Sequence, residues 1–225
     1  MGWQIFERAA SGYEAWYATA RGRRVDLAER ALLAWLLASF AGARSALDVG
    51  CGTGHFAAWL HRRSIDVIGL DRSPAMLAEL RRGHAAIPVV VGDAGRLPVR
   101  SGAVDVVLLV TALEFVEDPD AALSEAVRVA RQGLVLVLLN RWSLGGLSRR
   151  VGPQVRGPIL GSARDTSLVA LRRAVRVAAG ERLRSLRWAS SLFPDGLWAA
   201  RCRVPLGDVI GMAAVLSPMG RRGRP

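Results

Sequence analysis

The chain has 225 residues, which is enough for one α/β domain with a full core and short for two. It is 51% hydrophobic, and no apolar run approaches the roughly 20 residues of a membrane span, so we expect a folded globule without a transmembrane helix. The net charge is +12, and all 31 basic residues are arginine. This indicates a compositional bias of the genome, although a basic surface could still attract polyanions.

Cysteine content and the first residues narrow the protein class. Cys51 and Cys202 are the only cysteines in the sequence, so neither a disulfide framework nor a four-cysteine zinc site is possible. His55, His61 and His84 do not have the spacing of metal ligands, and we expect no metal. The N-terminus lacks the basic-then-apolar order of a signal peptide, which favours a cytoplasmic location.

The N-terminal residues 1–22 have an irregular pattern in which Tyr13, Trp16 and Tyr17 are grouped. From residue 25 to about residue 40, apolar side chains recur at helical spacing, which predicts one amphipathic helix. The grouped aromatic residues before it fit the packing face of a helix.

Strands alternate with helices between residues 45 and 140. Apolar runs predict five strands, at 45–49, 65–70, 87–91, 104–110 and 134–139. Helical patterns lie between them, at about 54–63, 74–82 and 118–131. Ser73 and Pro74 have the character of an N-cap and a first helical residue. This alternation predicts an α/β fold with a doubly wound, mostly parallel sheet.

The pattern weakens after Asn140. The predicted elements there are a short helix near 143–150, a helix over 167–179, and strands six and seven at 183–192 and 211–217. Since there is no internal repeat or low-complexity linker, we expect a single domain over 1–220 with a seven-stranded sheet. A disordered tail is expected at 221–225.

Three glycines occupy every second position between the first strand and the following helix: Gly50, Gly52 and Gly54. Glycine adopts positive φ readily and lets a ligand approach where a Cβ would collide. A helix N-terminus after such a loop commonly holds a nucleotide-like ligand. Taken alone, the loop fits an ordinary glycine-rich turn equally well.

Acidic residues follow the next three strands. Asp71 ends the second strand, 17 residues after Gly54, and could accept hydrogen bonds from a ribose diol. Asp93 follows the third strand, where it could accept a hydrogen bond from an adenine amino group, and Glu114 follows the fourth. Because the carboxyl ends of parallel strands meet at one edge of a sheet, these residues and the glycines together predict a nucleoside site.

On these residues the chain resembles class I S-adenosylmethionine-dependent methyltransferases, and more narrowly the type 11 group that includes quinone-biosynthesis enzymes. The resemblance covers about residues 10–140. It rests on the segments 47–54, 67–77, 92–98, 103–107 and 115–119. It implies a Rossmann-like methyltransferase fold with a helical N-terminal cap, a cofactor-binding core and an acceptor-side region, over 1–42, 43–140 and 141–220.

The resemblance also implies which residues hold the cofactor S-adenosyl-L-methionine and its product S-adenosyl-L-homocysteine. The implied residues are Asp48, Gly50, Cys51, Gly52 and Gly54 at the methionine end, Asp71, Arg72 and Met76 around the adenosine, Asp93 and Ala94 at the adenine, and Val110 and Thr111 near the sulfonium. The aromatic residues Tyr13, Trp16 and Tyr17 would belong to the cap over the cofactor. Trp142 and Trp198 are candidate walls of the acceptor pocket, or simply core residues.

Two positions depart from the family pattern. Residues 131–133 read Arg-Gln-Gly where many members have Arg-Pro-Gly-Gly, and we expect only a shortened turn. Glu114 stands where many small-molecule members carry a histidine that can act as a base. A glutamate there could instead stabilise the cofactor's positive charge or hold its amino group, so Glu114 is a weak candidate and no catalytic residue is assigned.

The resemblance implies in-line methyl transfer to a small-molecule acceptor, in which the protein mainly aligns the reactants and excludes water. One alternative is a nucleic-acid acceptor, because residues 141–187 hold 11 arginines against Asp165 and Glu181. A nicotinamide-dependent oxidoreductase is less favoured, because the loop does not read GxGxxG and Asp93 would have no role. A cofactor-binding protein without activity is a third alternative.

Overall fold

The computed structural model describes residues 3–143, 163–164, 166–192 and 202–218. Its helices are α1 (Gln4–Tyr13), α2 (Ala20–Leu37), α3 (His55–His61), α4 (Pro74–Gly83), α5 (Pro119–Val129) and α6 (Leu168–Ala179). Its strands are β1 (Ser45–Val49), β2 (Asp66–Asp71), β3 (Val89–Val91), β4 (Val104–Val110), β5 (Ala130–Leu139), β6 (Leu183–Ser191) and β7 (Val209–Leu216). Short 3-10 helices span Glu14–Trp16, Leu113–Phe115 and Gly180–Arg182.

The described strands form one seven-stranded sheet in the order β3-β2-β1-β4-β5-β7-β6. The pairings among β1 to β5 are parallel, while β7 runs antiparallel to both β5 and β6. Strand order reverses between β1 and β4, which is where a parallel α/β sheet leaves a crevice at its carboxyl edge. The mostly parallel, seven-stranded prediction is confirmed.

Each face of the sheet carries its own apolar core. Helices α2, α3 and α4 pack on one face, through buried leucines such as Leu36, Leu60 and Leu80. Helices α5 and α6 cover the other face, through residues such as Leu123 and Leu171. The central strands are apolar on both sides because both faces are covered. None of the described helices is both long and apolar enough to cross a membrane.

Capping residues set several helix starts. The side chain of Ser73 accepts a hydrogen bond from the backbone N–H of Met76, with Pro74 at the first helical position, as predicted. The Thr19 hydroxyl accepts from the N–H of Gly22, which starts α2 five residues before the predicted start. Helix α6 begins after Ser167, whose side chain accepts from the N–H of Ala170.

Two further elements differ from the sequence expectations. The residues with an irregular pattern contain helix α1, which starts without a side-chain cap and packs on α4. Strand β5 begins at Ala130, four residues before its predicted start, with an irregular register between Val104 and Val106 of β4. The predicted short helix near 143–150, Trp198 and the tail 221–225 lie outside the described residues, apart from Ser143.

Candidate active site

A pocket opens at the carboxyl ends of β1, β2, β3 and β4, under the N-terminal residues. The loop from β1 to α3 forms its floor. The N–H groups of Gly50 and Cys51 both donate to the carbonyl of Leu70, at 2.7 and 3.0 Å, and this fixes the loop against the end of β2. The loop is therefore held in place by backbone hydrogen bonds before any ligand binds.

All three glycines of the loop have positive φ, with a close contact at Gly50 and at Gly54 and open space at Gly52. Gly50 has φ +73°, and a Cβ there would come within 2.5 Å of the Ala112 side chain. Gly52 has φ +54° and lines the pocket, and a Cβ built on it would meet no atom within 4 Å. Its missing side chain thus leaves open space on the ligand side of the loop, as a backbone that approaches a ligand requires.

Asp71 connects the end of β2 to the glycine loop. Its Oδ2 accepts from the N–H of Gly52 and its Oδ1 from the N–H of Ser73, both at 2.8 Å. Burial raises the pKa of Asp71, although these backbone hydrogen bonds oppose the rise. Each carboxylate oxygen can accept a further hydrogen bond, so Asp71 is oriented and still able to bind a diol.

Asp48 lies beneath the pocket in β1 and is 2% exposed. Among the residues that the structure describes, its carboxyl has neither a hydrogen bond nor an ion pair. Burial, and secondly the Asp71 carboxylate, raise the pKa of Asp48 to about 7. A buried carboxylate without a partner is costly, so this position suits a ligand that brings a positively charged donor.

Asp93 and Ala94 line the far end of the pocket, after β3. The Oδ1 of Asp93 accepts from the N–H of Gly95 at 2.8 Å, and its Oδ2 lies 3.4 Å from the Arg72 guanidinium. Arg72 also contacts Glu117 at 3.3 Å, and its guanidinium carbon lies 5.4 Å from the ring centre of Trp3. This end of the pocket is therefore polar and partly exposed.

The end of β4 brings strained backbone to the pocket. Thr111 has φ +48°, which is uncommon for a β-branched residue, and its N–H donates to the carbonyl of Val137 at 2.7 Å. Val110 and Thr111 both line the pocket. Strain of this kind is often found at functional sites, where the surrounding structure enforces it.

Glu114 lies behind this corner and does not line the pocket. It is 2% exposed, and its Oε1 accepts from the N–H of Leu139 at 2.7 Å. The 3-10 helix Leu113–Phe115 turns its side chain towards the end of β5. This hydrogen bond orients the Glu114 side chain, and its weak candidacy for catalysis stays a prediction.

Aromatic side chains of the N-terminal residues cover the pocket. Trp3, Phe6, Tyr13 and Tyr17 line it, and Phe6 packs edge-on against Phe115 with ring centres 4.8 Å apart. Burial, followed by the nearby carboxylates, raises the pKa of Tyr13 to about 12, so its phenol keeps its proton. These rings shield the pocket from water on that side.

Eleven of the twelve predicted cofactor-binding residues line the pocket. The exception is Gly54, which precedes α3 and packs against Leu80 instead. Trp16, predicted in the cap, is 44% exposed, and Trp142 is 61% exposed; neither lines the pocket. Several lining residues were not predicted as site residues: Trp3, Phe6, Val49, Thr53, His55, Phe56, Leu70, Gly92, Ala112, Phe115, Val116 and Glu117.

Most of these additional residues are neighbours, along the chain, of residues that were predicted to bind the cofactor. They could therefore have been predicted to line the pocket. Thr53, His55 and Phe56 continue the glycine loop, and Phe115 to Glu117 follow β4. Trp3 and Phe6 have no such signal, because only the packing of α1 brings them to the pocket. No group of acidic, cysteine or histidine side chains that could hold a metal ion occurs among the described residues.

Comparison with known proteins agrees with this geometry. Residues 47–138 match the family model described as "Methyltransferase domain". Malonyl-[acyl-carrier protein] O-methyltransferase from Serratia marcescens is 35% identical over 142 residues, which cover 63% of this chain and 52% of the relative. Demethylmenaquinone methyltransferase from Beutenbergia cavernae is 40% identical over 92 residues, or 41% of this chain and 38% of the relative. The chain spans about half the length of the curated relatives it matches.

The solved structures extend the likeness to nearly the whole chain. A SAM-dependent methyltransferase from Thermotoga maritima, described as a possible histamine N-methyltransferase, has a TM-score of 0.74 and 27% identity, covering 96% of this chain and 99% of that one. The predicted resemblance to class I S-adenosylmethionine-dependent methyltransferases is confirmed, as is the fold class. The comparisons favour this family over the nicotinamide-dependent alternative.

Proposed function

We propose that this chain, whose residues 47–138 form a methyltransferase domain, binds S-adenosylmethionine in the pocket and transfers its methyl group to a small-molecule acceptor. One observation carries the proposal. The glycine loop and the carboxylates Asp48, Asp71 and Asp93 follow or end three successive strands, and they meet in one pocket. When bound, the cofactor supplies the activated methyl group, so the chain's own residues need only bind, orient and shield.

Charge and space support the proposal that Asp48 and the glycine loop hold the methionine end of the cofactor. Asp48 is buried and has no partner among the described residues, and an amino-acid ammonium group would provide one. The open space at Gly52 lets the backbone approach the same moiety. This arrangement would fix the cofactor's position and thereby the direction of the methyl–sulfur bond.

The residues at the ends of β2 and β3 would bind the adenosine end of the cofactor. Asp71, already oriented by the N–H groups of Gly52 and Ser73, would accept from the ribose hydroxyls. The backbone and carboxyl of Asp93, together with Ala94, would border the adenine. Met76 lies on the same side and is 1% exposed, so it gives the ring system a close-packed apolar wall.

The acceptor would enter near Val110 and Thr111, where the sulfonium is expected. Tyr13, Phe6 and Phe115 close the pocket with aromatic surface, which suits an acceptor with an apolar body and excludes water from the reacting atoms. The relatives are named for different acceptors, malonyl-[acyl-carrier protein] and demethylmenaquinone among them. The acceptor of this chain is therefore to be found by screening.

A transfer assay with methyl-labelled S-adenosylmethionine and a fractionated cell extract tests the proposal. We expect label in the small-molecule fraction. Asp71→Ala should lose most of this transfer, since two hydrogen bonds to a charged group of about 1.5 kcal/mol each correspond to about a 100-fold loss of cofactor affinity. Asp66→Ala is the matched control, because Asp66 is exposed at the opposite end of the same strand.

Label in the nucleic-acid fraction alone would favour the alternative in which the acceptor is a nucleic acid bound by the arginine-rich residues 141–187. Binding of the cofactor without transfer to any fraction would favour a cofactor-binding protein that lacks activity. Equal transfer by the wild type and Asp71→Ala would contradict the assignment of this pocket.

A further inference from the structure

Residues 3–17 form a cover over the pocket, here called the N-terminal cover. Two of its side chains attach it to the start of α4 and to the glycine loop. At one end of α1, Glu7 accepts from the hydroxyl of Ser73 and from the N–H of Ala75, 3.4 Å away, at the start of α4. At the other end, Glu14 accepts from the hydroxyl of Thr53 in the glycine loop. The cover therefore rests directly on the loop that is proposed to bind the cofactor.

His55 lies at the centre of the second attachment. It is the first residue of α3, and its imidazole stacks on the Tyr17 ring with centroids 3.7 Å apart and planes 6° apart. Its Nδ1 lies 3.3 Å from Oε2 of Glu14 and its Nε2 lies 2.6 Å from Oδ1 of Asp26. One ring thus contacts the cover through Tyr17 and Glu14, and helix α2 through Asp26.

The charges around His55 fit this junction. Asp26 also accepts from Nε of Arg30 at 2.6 Å, and an Arg30 guanidinium nitrogen lies 3.0 Å from Nε2 of His55. The His55 side chain is 14% exposed and that of Asp26 is 15% exposed, so the hydrogen bonds between them are largely shielded from water. Glu14, 52% exposed, is the partner on the N-terminal side, at the surface of the junction.

We propose that His55 is a positioning residue that couples cofactor binding in the glycine loop to closure of the N-terminal cover, residues 3–17. The inference rests on the proposed function, because it concerns the same pocket. His55 lines the pocket beside Thr53, so a ligand on the loop stabilises the ring's position. The ring in turn holds Tyr17 and Glu14, and with them the cover.

Hydrogen exchange with and without S-adenosylhomocysteine tests the coupling. In the wild type, the ligand should slow exchange in both the loop, 50–55, and the cover, 3–17. In His55→Ala, the loop should still be protected while the ligand-induced protection of the cover is lost, with affinity about tenfold weaker. His55→Phe, which keeps an aromatic ring on Tyr17 but no hydrogen bonds, should retain part of it.

His61→Ala is the matched control, because His61 is the exposed last residue of the same helix and should behave as the wild type. Tyr17→Leu removes the stack from the other side, so it carries the test if His55→Ala does not fold. Wild-type ligand-induced protection of the cover in His55→Ala, or in Tyr17→Leu if His55→Ala does not fold, would overturn the coupling. Absence of ligand binding by the wild type would instead contradict the proposed function.

Discussion

The affinity for S-adenosylhomocysteine should depend on pH through Asp48. Burial and Asp71 raise the pKa of this carboxyl to about 7 in the ligand-free protein, so near neutral pH it is partly protonated. If it must be ionised to hold the ligand's ammonium group, binding releases a proton below that pKa. The apparent dissociation constant then rises by a factor of 1 + 10^(pKa − pH), which makes binding about tenfold weaker at about pH 6 than at about pH 8.

Isothermal titration at both pH values measures this ratio, and buffers of different ionisation enthalpy count the protons released. Asp48→Asn should bind weakly with little change between the two pH values. Asp66→Asn, at the exposed start of β2, should keep the wild-type pH dependence. Equal affinity at both pH values in the wild type, or an unchanged slope in Asp48→Asn, would refute the role given to Asp48.

Three further predictions concern stability. Burial, followed by the charges of Asp26 and Glu114, raises the pKa of Glu29 from 4.5 to about 8. Between these two pH values the folded protein keeps a proton that the unfolded chain releases. The free energy of unfolding should therefore fall by about 1.4 kcal/mol per pH unit over this range. Glu29→Gln should flatten this fall in urea titrations at about pH 5 and pH 8; an unchanged slope would count against it. Gly133→Ala places a Cβ 2.1 Å from a carbonyl oxygen of β7 and should cost about 1–3 kcal/mol, whereas Gly83→Ala meets open space and should not. The Arg182 guanidinium donates to carbonyls at the end of α5 and the start of β5, and Arg182→Met removes these hydrogen bonds. This variant should melt several degrees lower than the wild type, whereas the same change at exposed Arg184 should have little effect. Equal melting temperatures would show that those contacts are dispensable.

The sheet and most of the cofactor pocket were accessible from sequence for a physical reason. Central strands covered on both faces are apolar runs, as in residues 104–110, whose predicted bounds are those of β4. In a parallel sheet, the residues that follow each strand lie at the same edge of the sheet. The sequence alone therefore predicts that Asp71 and Asp93 lie near the glycine loop.

The cover was harder to predict because its helix depends on tertiary contacts. Helix α1 is short, begins without a side-chain cap and contains Gly12, so local propensity alone is a weak signal. It is held by packing on α4 and by Glu7 at the start of that helix. Such contacts join residues more than 60 positions apart, which no local pattern encodes.

Glu114 shows that sequence spacing does not give the direction of a side chain. Its position after β4 suggested the reactive end of a ligand, but a single 3-10 turn redirects the side chain to the N–H of Leu139. The direction of a side chain after a strand depends on the local turn geometry, which spacing does not specify. The contact of His55 with Asp26 had no local signal either, since it requires α2 and α3 to be packed together.

The central claim is that this pocket binds S-adenosylmethionine, and a calorimetric titration of the wild-type chain with S-adenosylhomocysteine and, separately, with NADH tests it most directly. We predict saturable binding of S-adenosylhomocysteine, about 100-fold weaker in Asp71→Ala and unchanged in Asp66→Ala, and no binding of NADH. Binding of NADH alone, or binding of S-adenosylhomocysteine that is indifferent to Asp71, would contradict the claim.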